Sequence, residues 1–308
     1  MDKKVIFSLI LATATVFFGC DRSAPQRYFV SSPVGNGSVV EITDYVGSEL
    51  SIVIPHLIRH LPVIRIADSA FADKHLTNVT IPESVTHIGN WAFSNNDLAS
   101  INIPSSVLHI GDHAFAGNRL TSVRIPDSVT HIGDRAFSGN VLSSVIIPSN
   151  IVHIGKKSFK GNNLRTVTIP NTVSYIGQEA FSFNRLTKIS IPSSVTYIGG
   201  GAFSYNVNFE AVNFSYDSNL EVIGGRSRDT NGTWVGYGAF EGNTAIASIT
   251  IPATVTFVGN GAFKGWTALQ TIYIPFSTVA QADSVWGEGW RSGSKAMIGT
   301  VDVKPASE

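Results

Sequence analysis

From Ile81 onward the apolar positions return with a fixed period. Ile81-Pro82, Val85, Ile88, Ala92-Phe93 and Leu98 are matched 22 residues later by Ile103-Pro104, Val107, Ile110, Ala114-Phe115 and Leu120. The unit starts again at Ile125, Ile147, Ile169 and Ile191, and its phase returns at Ile251-Pro252 and Ile274-Pro275 with a period of 23. A period held through six copies identifies a repeat architecture. Within a unit, Leu98-Ala-Ser-Ile101-Asn-Ile103 alternates, so the spacing predicts a turn into a short strand with Leu98, Ile101 and Ile103 inward. Pro104 has no N–H for a ladder and ends that strand. Val107 and Ile110 turn inward on an opposite wall, and Ala114-Phe115 places a small residue beside a large one in the core.

Two further columns run through the array. Gly89, Gly111, Gly133, Gly155, Gly177, Gly199, Gly224 and Gly259 recur where the chain needs either positive φ or close backbone approach. Asn96, Asn118, Asn140, Asn162, Asn184 and Asn206 lie three residues after each phenylalanine, where an amide can bond turn groups the coil leaves open. One unit cannot bury its own apolar face, so neighbours must stack. Strands about 4.7–4.9 Å apart then make one parallel sheet, and nine coils give a body of roughly 40–45 Å.

The motif LxxVxIPxSVTxIGxxAFxxN resembles the BspA-like, Treponema-type leucine-rich repeats of bacterial surface proteins, over Val39 to Pro275. The segment from Ile42 to Phe71 resembles the opening unit of such arrays, with Ala67 in place of the column glycine. The resemblance implies a leucine-rich-repeat-like solenoid, mostly β and loop, with its parallel sheet on the concave face. It also implies adhesive or binding roles at the cell surface and no enzyme.

Three places break the period. Residues 207–223 replace Ile-Pro by Phe214-Ser215 but keep Phe209, Val212, Leu220 and Ile223. An insertion follows from Gly225 to Tyr237, carrying Arg226, Arg228, Trp234 and Tyr237. Solenoid insertions become loops on one face, either as tolerated bulges or as ligand contacts. Lys188, Asn213 and Thr250 extend such a contact if the loop folds toward the concave side. After Pro275 the motif ends, and Trp286, Trp290 and Ile298 are placed to cap the open core.

The N-terminus reads as an address. Lys3 and Lys4 precede a 14-residue apolar run, Val5 to Phe18, which is short for a bilayer span and fits a secretory signal. Cys20, the only cysteine, follows Gly19 and resembles the acylated residue of a bacterial lipobox. The expected organisation is a lipoprotein signal at 1–20, a tether at 21–36, a solenoid at 37–275 and a cap at 276–308.

Composition narrows the function. Lys+Arg and Asp+Glu number 22 each in 308 residues, which leaves no basic footprint for nucleic acid. One cysteine excludes an internal disulfide framework. His87, His109, His131 and His153 share a repeat position with Tyr175, Tyr197 and Phe257, so the position asks for a flat ring. A straight ladder of such steps does not offer four ligands to one zinc ion, and no metal or other cofactor is expected. No nucleophile elbow, HExxH or phosphate loop is present. The outward sheet residues are small, hydroxylated and nearly neutral. They suit either an exposed strand, as in a structural envelope protein without a specific ligand, or a broad surface for a partner, which is a protein, host matrix among the candidates, or a polysaccharide. Membrane contact is expected through the lipid anchor alone.

Overall fold

The computed structural model of the chain describes residues 25–300 apart from 226, 229, 232 and 233, with backbone alone at 227, 228, 234 and 235. Each coil is a triangle. Its first wall carries the strand of the LxxVxI segment, as in Ser122–Arg124 and Ser144–Ile146, which pair in parallel with Val145 beside Val123. Its second wall carries a two-residue strand, as in His109–Ile110 and His131–Ile132, again parallel and in register. Its third wall is a run of turns whose backbone also bonds coil to coil: Phe93 N–H to Ala114 O at 2.8 Å, Phe115 N–H to Ala136 O at 2.8 Å. The expected single sheet is therefore replaced by parallel ladders on two walls and a turn ladder on the third. The reason is that every unit is extended twice, before Pro and before Gly.

The core lies inside the triangle. Phe71, Phe93, Phe115, Phe137, Phe159, Phe181, Phe203, Phe240 and Phe263 are fully buried and form a continuous stack. Their ring centroids are 5.1 Å apart at the first step and 5.9 Å at the last. The glycine column is settled by approach rather than by φ. A Cβ on Gly133 would stand 2.5 Å from Asp112 N and Gly111 C. Left-handed φ occurs instead on the third wall, at Trp91, His113, Arg135, Lys157 and Glu179, with φ between 55° and 59°. There it aims each N–H at the next coil, as in Trp91 N–H to Asp112 O at 2.7 Å.

The asparagines bind three levels of the stack. Asn140 Nδ2 donates to Phe115 O at 2.9 Å and Phe137 O at 3.2 Å, while Oδ1 accepts from Leu120 N–H at 3.0 Å. Near the C-terminal end Trp266 occupies the asparagine position, and its indole N–H donates to Phe240 O at 2.9 Å.

Both ends are covered. Residues 21–24 lie outside the described residues, but the remainder of the expected tether, 21–36, is largely structured. Gln26–Tyr28 form a 3-10 turn, and Phe29–Val34 pair antiparallel with Val39–Tyr45. Phe29 and Tyr45 bring their rings to 6.3 and 5.9 Å from Phe71. An open aromatic stack needs a lid, and the alternating apolar positions of this segment supply it. At the other end, the helix Val279–Trp286 begins with a capping box between Thr278 and Gln281. Trp286 and Trp290 are buried over the last coil, Trp290 standing edge-on to Phe263 at 6.3 Å. Met297–Thr300, which includes Ile298, adds a parallel strand to the first wall.

Candidate interaction surfaces

The insertion forms a small antiparallel hairpin. Ser227–Arg228 pair with Trp234–Val235, Arg228 opposite Trp234. It departs after Gly224, the end of the second wall, and returns at Tyr237 on the third. Tyr237 fixes its foot by edge-on contacts with Phe183 at 5.5 Å and Tyr205 at 5.0 Å, which stack on each other at 4.9 Å. Lys160 Nζ lies 5.2 Å from the Phe183 ring and 5.9 Å from that of Tyr237.

Buried carboxylates brace this corner. Glu179 is paired with Lys160 at 2.5 Å and Lys157 at 3.3 Å. Glu241 accepts from Gly238 N–H at 2.9 Å and Tyr205 OH at 3.3 Å, with Lys264 at 3.4 Å. Buried charge persists only when paired in this way, so the corner is a built support. Arg226 lies outside the described residues, as does Cys20. Arg228 and Trp234 are placed by their backbone.

Lys188, Asn213 and Thr250 do not adjoin the hairpin. They stand on the first wall, across the Val212, Leu220 and Phe240 core from it. The expected joint surface is therefore two surfaces. The three residues do meet one another: Lys188 and Asn213 line a groove of about 550 Å³, and Asn213 and Thr250 line the adjoining one, of about 590 Å³.

The second wall carries the ring column. His109 and His131 stack at 4.6 Å, His87 follows at 6.0 Å, and Tyr175 and Tyr197 stack at 4.6 Å. Burial, and then the neighbouring Arg65, hold His87 below the ordinary histidine range. For His109 burial leads again, followed by the imidazoles of His131 and His87. Among the described residues no group of three or more His, Cys, Asp or Glu is placed to hold a metal ion.

Two features beside this column escaped sequence reasoning. Asp68, Asn90, Asp112 and Asp134 form a side-chain ladder, each Oδ1 accepting the N–H of its counterpart one coil on at 2.7–2.8 Å. The signal was an Asp or Asn directly after the column glycine. On the third wall, Trp91 stacks on His113 at 3.6 Å, and Arg135 Nη1 stands 3.2 Å from His113 Nε2.

The family model described as BspA type leucine rich repeat region matches in six copies at residues 51–161, 108–227 and 228–285. Among solved structures, a leucine-rich repeat protein from Bacteroides ovatus is 25 % identical with a TM-score of 0.69, covering 89 % of this chain and 66 % of its own. This chain thus spans a little under two thirds of that relative. A leucine-rich repeat protein of T. pallidum is 27 % identical, with 66 % and 85 % covered and a TM-score of 0.46. A leucine rich cell surface protein from Faecalibacterium prausnitzii is 22 % identical, with 90 % and 94 % covered and a TM-score of 0.43. No curated protein matches the chain.

Proposed function

Because the chain belongs to the BspA-type leucine-rich repeat family, we propose that it is an exported, non-catalytic scaffold, lipid-anchored through Cys20 at the cell surface, whose hairpin engages a protein partner. One observation carries this reading. The hairpin interrupts a largely repetitive surface, and a corner of paired buried charges and three aromatic rings holds it in place. Interface anchors are enriched in Trp, Tyr and Arg, and residues 225–237 supply all three types. Tyr237 fastens the foot, which leaves Arg226, Arg228 and Trp234 as the anchor candidates.

The test is deletion of residues 226–236 with a short Gly-Ser link, keeping Tyr237. The circular dichroism spectrum is expected to be unchanged. Affinity for a protein captured by the intact chain should fall at least tenfold, about 1.4 kcal/mol, and Trp234→Ala alone should give much of that loss. Wild-type affinity in a folded deletion variant would reject the hairpin as the site. The anchor has its own test. Mass spectrometry is expected to find acyl mass on Cys20 at the mature N-terminus, and Cys20→Ala should release the protein from membranes. Two or three acyl chains at about 0.8 kcal/mol per buried CH₂ suffice for stable attachment. A native mature N-terminus elsewhere would remove the lipid from the account.

A further inference from the structure

The variant coil on the first wall makes a second site, away from the hairpin. In the preceding coil, Val195 follows Ile191 by four positions; here Leu220 follows Phe214 by six. Both pairs occupy the same place, because Ile191 and Phe214 are ladder partners and Val195 and Leu220 are both fully buried. The turn is thus two residues longer. It is also pinned: Ser215 OH donates to Asp217 at 2.6 Å, Ser218 N–H to Ser215 O at 3.1 Å, and Asn219 Nδ2 to Ser193 O at 3.0 Å. The extra length presents Tyr216 with its whole side chain in solvent.

Phe214 adds a second ring. Regular coils bury an isoleucine at this position, but Phe214 is half-buried, packed on the core and open to both grooves. The grooves share Asn213, Phe214 and Ser215, so they run on from one another along the stack. Their polar lining is hydroxyl and amide, with Lys188 and Glu210 as the only charged residues. Ser190 and Asn213 are ladder partners, and Thr168 and Thr250 hold the corresponding outward positions of the coils on either side.

This chemistry selects among ligands. A polyanion needs several unpaired cations, and the lining has one lysine balanced by one glutamate. A protein interface needs a desolvated apolar centre, and these grooves are shallow and hydroxylated. A neutral polysaccharide matches both parts, since its hydroxyls pair with Ser, Thr and Asn and its C–H faces lie against aromatic rings, which are apolar in body and, for Tyr, polar at the tip. We propose that the first wall binds a neutral polysaccharide chain laid along the solenoid axis, with Phe214 and Tyr216 as the stacking platform and Asn213 as a central hydrogen-bonding group. The site does not rest on the hairpin, from which the core separates it.

Native affinity electrophoresis tests the inference with the full chain in gels containing a soluble β-glucan, a galactomannan or a xylan, and dextran sulfate as the polyanion. At least one neutral polymer is expected to retard the wild type. Tyr216→Ala should weaken that retardation at least tenfold, and Phe214→Ile, which restores the residue of the regular coil, should do the same. The hairpin deletion should bind as wild type. The inference fails if no neutral polymer retards the protein, if only dextran sulfate does, or if both variants retain wild-type affinity. Loss of retardation in the hairpin deletion would also overturn it, by moving the glycan to the other face.

Discussion

Asn140 shows how much a single side chain carries in a body whose turns are inside. Its amide and carbonyl serve two backbone oxygens and one N–H, all buried. A buried group left unpaired costs about 1–3 kcal/mol. Asn140→Ala should therefore lose at least about 2 kcal/mol, measured as a lower urea midpoint. Asn140→Asp should lose as much, because a carboxylate accepts but cannot donate to Phe115 O. A change below about 0.5 kcal/mol, the range of an ordinary surface substitution, would mean that water replaces the amide. The column was legible in the sequence as an invariant spacing after phenylalanine. The ladder of Asp68, Asn90, Asp112 and Asp134 was harder to see. Its position later admits Lys156 and Gln178, so residue type alone did not mark it.

Elements were legible where geometry repeats and obscure where it stops. The Ile-Pro and Ile-Gly signatures fix two extended segments per unit, since each apolar residue has to face one shared core. They do not disclose that both segments are hydrogen-bonded walls, because a two-residue strand such as His131–Ile132 has no alternation to read. The side on which the hairpin emerges was also hidden, because it depends on Tyr237 finding Phe183 and Tyr205, which are distant in sequence. The C-terminal cap was readable from its tryptophans and has a direct test. Trp290 is fully buried, and its indole N–H donates to Asp283 at 2.9 Å. Trp290→Ala should cost about 3–5 kcal/mol at that end. In a stack that loss is local, so amide exchange should quicken in residues 239–275 and stay unchanged in 85–160. Uniform acceleration along the chain would contradict a stack coupled only through nearest neighbours.

At the scale of the molecule, the second wall makes stability depend on pH. Burial favours neutral His87 and His109 in the fold and holds their affinity for protons below that of the unfolded chain. The unfolded state then binds more protons, so stability is complete above about pH 6.5 and is lost as pH falls toward the folded values. Arg65 adds to this for both rings, while Asp112 partly opposes it for His109. The melting temperature is expected to drop between pH 7.5 and 5, and the double variant His87→Tyr/His109→Tyr should reduce the drop, as tyrosine already holds the place at Tyr175 and Tyr197, leaving the part due to His113, which burial also holds below the ordinary range. A wild-type profile that is level over this range would refute the mechanism. The coil-to-coil ladders also set how the protein bears tension. Their hydrogen bonds run along the solenoid axis, so a pull on the two ends loads the coils in series and the weakest lets go first. Between Phe93 and Phe203 each coil would release 22 residues, roughly 70–80 Å of chain. Opening the coil between Phe203 and Phe240 would release 37 residues, roughly 120–130 Å. Single-molecule extension should trace a staircase of even treads with one long one, and a single abrupt rupture would rule it out. A molecule built this way yields by known lengths, paying out slack while the remaining coils hold.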